Sequence, residues 1–118
     1  MKYVCLVYYD EKKVYSMPKS DWQGLVGECL EYGAEVRESG HFLGGEALLP
    51  VNTATTVRFR NGRISATDGP FAETKEQLAG FYLIEARDLN EAIQVASRIP
   101  PARLGSIEVR PIRDLTKE

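Results

Sequence analysis

The chain has 118 residues, of which 43% are hydrophobic and 27% charged, with a formal net charge of −2. These values bound it to one globular domain, 1–118, long enough for a full core, and exclude the clustered basic face that nucleic acid binding needs. Cys5 and Cys29 lie in apolar patterns without metal-ligand spacing, as buried reduced thiols of a cytoplasmic protein do, so no metal and no cofactor is expected.

The first run, 3–9, is continuously apolar or aromatic and rich in β-formers, the pattern of a central strand covered on both faces. Seven residues are too few to cross a membrane, and no small-residue cleavage site follows, so neither a span nor a signal peptide is expected. Asp10-Glu11-Lys12-Lys13 reads as a solvated loop. A helix starts between Pro18 and Asp21. Ser20 with Gln23 fits a capping box, and Pro18 fits a first-turn position. Trp22, Leu25, Val26, Cys29 and Leu30 fall on one helical face, with Val36 further along, and Gly40 is the natural stop.

Residues 41–49 read as a strand with a bulge at Gly44-Gly45, closed by Pro50. Strands at 55–60 and 63–67 are joined by Asn61-Gly62, a strong hairpin signal. A strand at 80–86 follows, then a helix capped by Asp88 with Glu91 completing the box. Leu89, Ala92, Ile93, Ala96 and Ile99 form its expected buried face, and Pro100-Pro101 ends it. The last strand, 106–112, alternates polar and apolar residues and carries Pro111, both marks of an edge or half-exposed strand.

Two helices cannot cover both faces of so wide a sheet. The order therefore predicts an α+β, ferredoxin-like domain, with a mixed or antiparallel sheet, both helices on one face and an extra β-hairpin. The uncovered face calls for a second copy, so a homodimer with the sheets packed face to face is expected.

The stretch Ala66-Thr67-Asp68-Gly69-Pro70-Phe71-Ala72-Glu73-Thr74-Lys75-Glu76-Gln77-Leu78-Ala79-Gly80-Phe81-Tyr82 holds the densest set of residues that packing does not require. Gly69 can take positive φ and Pro70 turns the chain, which places Asp68 at a strand end. A carboxylate against Phe71 and Tyr82 would be raised by desolvation and would serve as a general base. The alternative is an Asx-turn that only satisfies the local backbone. His41, the only histidine, follows a helix C-terminus and is either a helix-end hydrogen-bonding group or the acid/base partner of Asp68. Tyr8, Glu46, Phe71, Lys75 and Tyr82 are the candidate ligand contacts, with Lys75 suited to an anion and the tyrosines to the mouth of an apolar cleft between helix and sheet.

The run Thr67–Leu78, with Gly80-Phe81-Tyr82, Gly40-His41, Glu46-Ala47-Leu48, Asp88-Leu89, Ile99-Pro100 and Glu108-Val109-Arg110-Pro111, resembles the DGPF branch of the YCII-related proteins over nearly the whole chain. The resemblance implies a bacterial, cytoplasmic, ferredoxin-like dimeric α/β barrel. It also implies a link to extracytoplasmic-function sigma factors, near which many members are encoded. The wider group is similar to small lyase-like enzymes that pair a histidine on the first helix with an aspartate after the second. Here the first helix has no histidine, and Ile99-Pro100-Pro101 stands where the aspartate would, so that pair is not carried over. Three readings follow. One is a small-molecule binding or accessory protein. Another is a cofactor-free enzyme for proton abstraction or elimination that uses Asp68 with His41. The third is a purely structural dimerisation module, with no pocket and its aromatics buried at the interface.

Overall fold

A computed structural model describes residues 1–117. Strand β1 (Lys2–Tyr9) buries every second side chain, Tyr3, Cys5, Val7 and Tyr9, while Val4, Leu6 and Tyr8 stay half-exposed. It is central, as expected, between β5 (Gln77–Glu85) and β6 (Gly105–Pro111). Within one chain, however, only one of its faces is covered. A run that is apolar at every position carries no alternation from which this could be read.

The expected loop after β1 is instead a short helix, α1 (Glu11–Tyr15). Asp10 caps it by accepting from the Lys12 N–H at 3.0 Å, and Val14 is buried beneath it. One turn with one apolar residue is too short for periodicity to register. Helix α2 (Lys19–Glu38) begins with Pro18 as its N-cap and has no side-chain cap, so the Ser20–Gln23 box does not form. Gly40 takes φ +82° just past its end, the left-handed turn that stops a helix.

Strand β2 (Phe42–Ala47) is irregular between Phe42 and Gly44, which puts the bulge one residue ahead of the glycine pair. Asn61 and Gly62, both at positive φ, join β3 (Thr55–Arg60) to β4 (Arg63–Asp68) in the tight hairpin anticipated. Helix α3 (Leu89–Ser97) is capped by Asp88, whose Oδ1 accepts from the Glu91 N–H at 2.9 Å. Its buried face is Ala92, Val95, Ala96 and, just past its end, Ile99. Leu89 and Ile93 are instead about half exposed, at 50% and 48%. In a helix this short two apolar faces overlap, and the small alanines allow the closer approach to the sheet.

The main sheet runs β2-β5-β1-β6, with each neighbouring pair antiparallel. This is the strand order of the α+β ferredoxin-like fold. Helices α2 and α3 lie on one face, where Tyr32, Val36, Ala92, Val95 and Ala96 pack on Tyr3, Cys5, Val7 and Ile84. Gly105 marks the closest strand approach, since a Cβ there would stand 2.0 Å from the Tyr8 carbonyl oxygen. The β3–β4 hairpin forms a separate two-stranded sheet whose Val57, Phe59 and Ile64 are largely exposed.

Candidate functional site

The apolar stripe of α2 is longer than its buried core requires. Leu25 is buried, Trp22 and Cys29 are half-buried, and Val26 and Leu30 are exposed. These residues roof a cavity of about 350 Å³ between α2 and the sheet, continued along the helix by Gly33 and Arg37. The floor is Val7 and Tyr9 of β1, Gly45 and Ala47 of β2, and Ala79, Gly80 and Tyr82 of β5. The cavity exists because facing surfaces lack side-chain volume. Gly33 above meets glycines and alanines below, so helix and sheet cannot close to full packing density.

The two ends of the cavity differ. At one end Tyr9, Tyr15 and Trp22 form an edge-to-face series, with ring centroids 6.3 Å and 5.8 Å apart. That series fixes the aromatic wall. At the other, the Arg37 guanidinium carbon lies 4.5 Å from the Phe42 ring centroid, and Phe42 packs edge-on against Tyr82. Between Trp22 and Arg37 the helix advances about 22 Å, at about 1.5 Å per residue. Burial pushes the Tyr82 hydroxyl up to about 12, with Arg37 opposing, and pushes the Cys29 thiol up as well. Burial thus favours the neutral phenol and the protonated thiol on the cavity wall, which suits an apolar body.

The structure distributes the sequence-derived candidates unevenly. Tyr82 and Glu46 border the cavity. Glu46 pairs with Phe81, and Gly45 with Tyr82, so strand alternation directs the Glu46 side chain to the face away from α2. Tyr8 also lies on that far face, paired with Leu78 and Ser106. Phe71 is 80% exposed, and Lys75 is exposed in the loop after the turn.

Asp68 and His41 are not brought together. His41 immediately precedes β2, while Asp68 ends β4 beside Thr55, beyond the opposite end of β2. The His41 Nδ1 is 2.7 Å from the Ser39 hydroxyl, and its Nε2 is 3.3 Å from Glu91 Oε1. The Asp-Gly-Pro turn is closed by the Gly69 N–H donating to the Ala54 carbonyl at 2.7 Å, and by the Thr56 hydroxyl donating to the Gly69 carbonyl at 2.8 Å. Gly69 has the positive φ expected, +102°. Among the described residues no group of three or more His, Cys, Asp or Glu is placed to hold a metal ion, and no helix is long and apolar enough to cross a membrane.

Sequence reasoning anticipated a helix–sheet cleft but not the residues of its two ends, Trp22 with Tyr9 and Arg37 with Phe42. The available signal was an apolar stripe running almost the length of a helix interrupted by Gly24, Gly27 and Gly33, in which each glycine sacrifices helix propensity. Compared with known proteins, residues 1–116 match the model of the YCII-related domain. The chain is also 37% identical over 114 residues to an uncharacterized protein of Rhizobium meliloti (strain 1021), covering 95% of this chain and 92% of that relative.

Proposed function

The chain belongs to the YCII-related domain family, and from that premise we propose that it is a small-molecule binding protein whose ligand occupies the cavity under α2. The observation that carries this reading is an apolar cavity of about 350 Å³, open beside exposed Val26 and Leu30, with one cationic end. That combination of shape, apolar walls and few polar groups is what small-molecule sites have in common. His41 immediately precedes β2 and hydrogen-bonds toward Ser39 and Glu91, whereas Asp68 ends β4 in the separate hairpin sheet. The cavity, and not that pair, therefore supports the assignment, and the enzyme reading ranks second.

We also propose that the protein works as a homodimer. The sheet face away from the helices carries Val4, Leu6, Tyr8, Leu78, Phe81 and Leu83, all half-exposed, and the radius of gyration is 16.2 Å against about 13.5 Å for a compact domain of this length. A second copy on that face would cover it. Sedimentation equilibrium should give twice the 13.2 kDa chain mass, and Leu6→Lys should give the single mass with the fold retained. A wild-type monomer at micromolar concentration would refute the dimer. The resemblance carried by Asp68-Gly69-Pro70-Phe71 and its flanking residues is what supports placement in the DGPF branch and, through that branch, a cytoplasmic setting and an accessory role beside a sigma factor. Co-purification of a sigma factor with the tagged protein is the check on that role.

Cys29 provides the test of the binding reading, since it lines the cavity while Cys5 is fully buried. In a thermal-shift screen of small apolar molecules, true ligands should raise the melting temperature and slow the alkylation of Cys29. Hits that stabilise the protein without shielding Cys29 would place the site elsewhere and sink the reading.

A further inference from the structure

We infer that the cavity selects a linear or aryl-ended monocarboxylate of about a dozen non-hydrogen atoms, with its carboxylate on Arg37 and its apolar body directed toward Trp22 and Tyr9. This rests on the binding role proposed above and adds the chemical class of the ligand.

The size follows from the volume. A cavity of about 350 Å³ holds about 12 heavy atoms at the ~30 Å³ that a water occupies in the liquid. The elongated shape follows from the helix, because Trp22, Cys29 and Arg37, each about two turns from the next, line the same groove along α2. With its carboxylate on Arg37, an extended chain of this size runs along the groove to about the level of Cys29, roughly 12 Å along the helix at about 1.5 Å per residue. A compact, branched ligand would stay at the Arg37 end.

The charge follows from Arg37. Among the described residues no carboxylate stands within salt-bridge distance of its guanidinium, whereas Arg87, Arg103 and Arg110 each have one. The Arg37 guanidinium lies over the Phe42 ring, which keeps the head group at this end of the groove. A guanidinium is a planar fork of N–H donors and favours a planar, two-oxygen acceptor, the geometry of a carboxylate. The other charged residue bordering the cavity, Glu46, is directed to the opposite sheet face by its pairing with Phe81, so the cationic end is not neutralised from within. Tyr82, a neutral phenol beside Arg37, adds a hydrogen-bonding group without adding charge.

The experiment is isothermal titration of the full chain with decanoate and with decanamide, equal in heavy-atom count and differing in charge, at pH 7. It uses wild type, Arg37→Gln and Gly33→Leu. Gly33→Leu places a side chain in the middle of the groove, at a position where an added Cβ meets only the Arg37 side chain at 3.7 Å. Decanoate should bind wild type at least tenfold more tightly than decanamide. Arg37→Gln should erase that difference by weakening decanoate alone, and Gly33→Leu should abolish both.

Equal binding of the two probes, lost together in Gly33→Leu, would overturn the carboxylate assignment while leaving the cavity as the site. Decanoate binding that survives Gly33→Leu would overturn both. No binding of either probe to wild type would overturn this ligand class. The Cys29 protection screen would then decide the binding role on its own.

Discussion

The Arg37 guanidinium lies 4.5 Å from the centroid of the Phe42 ring, so the last turn of α2 is tied to the first residue of β2 across Gly40. Stacking on a ring face is worth about 0.5–1 kcal/mol at an exposed site. Its larger effect here is to hold a long, otherwise mobile side chain at the open end of the cavity.

Phe42→Leu keeps an apolar group in the wall but removes the ring face. Losing about 0.5–1 kcal/mol of orientation predicts a two- to fivefold weaker affinity for a carboxylate ligand, with a neutral analogue unaffected. Titration of both ligands against both proteins checks this. An equal loss for the two would mean that Phe42 acts only as wall.

Gly33→Leu should raise stability even as it blocks the cavity. Glycine inside a helix is worse than a good helix former by about 0.8–1.0 kcal/mol, and the added Cβ makes only an ordinary van der Waals contact, with the Arg37 side chain at 3.7 Å. The melting temperature should rise by roughly 2–5 °C for a domain of this size. A fall would show that the groove is closed by packing that the single chain does not contain.

Tyr32 ties the two helices together. Its buried hydroxyl donates to the Val95 carbonyl of α3 at 2.5 Å, and its ring packs against Tyr82. Tyr32→Phe keeps the ring and removes one buried hydrogen bond, which predicts a loss of about 1–2 kcal/mol. Urea unfolding of the two proteins measures it, with an unchanged midpoint as the refuting result.

Glu91 predicts an acid-side loss of stability. Its carboxylate is held below its ordinary value of 4.5, first by the Arg87 backbone N–H donated to Oε1 at 3.0 Å, then by the Arg87 side chain at 2.8 Å and by His41. A carboxyl group lowered on folding stabilises fully above its unfolded value and loses that contribution as pH falls through the folded one. The wild-type melting temperature should therefore drop more steeply than that of Glu91→Gln as pH falls below about 4.5. Parallel curves would show that the ionised carboxylate contributes nothing.

Much of the fold was legible because its signals are local. Asn61-Gly62 specified the hairpin through the backbone conformations those residues tolerate, and Asp88 with Glu91 marked the start of α3. Where local signals overlapped or were weak, the reading erred. The charged start of α1 read as loop. Leu89 and Ile93 read as buried and Val95 did not, the reverse of what is found, because a nine-residue helix presents two plausible faces and only contact with the sheet selects one.

The site was less legible for the same reason. Asp68 and His41 drew notice as isolated polar residues in a specific context, yet which polar residues meet is a property of strand order, and His41 precedes β2 of the main sheet while Asp68 ends β4 of the separate hairpin sheet. The sequence alone determined the ferredoxin-like succession of elements, the turns and the apolar stripe on α2, all of which follow from side-chain periodicity and backbone preference. Only the tertiary structure decided that part of this stripe faces empty volume. Cavities arise where small residues from separate segments oppose one another, and the distance between Gly33 and the glycines of β2 and β5 is written in no single stretch of chain.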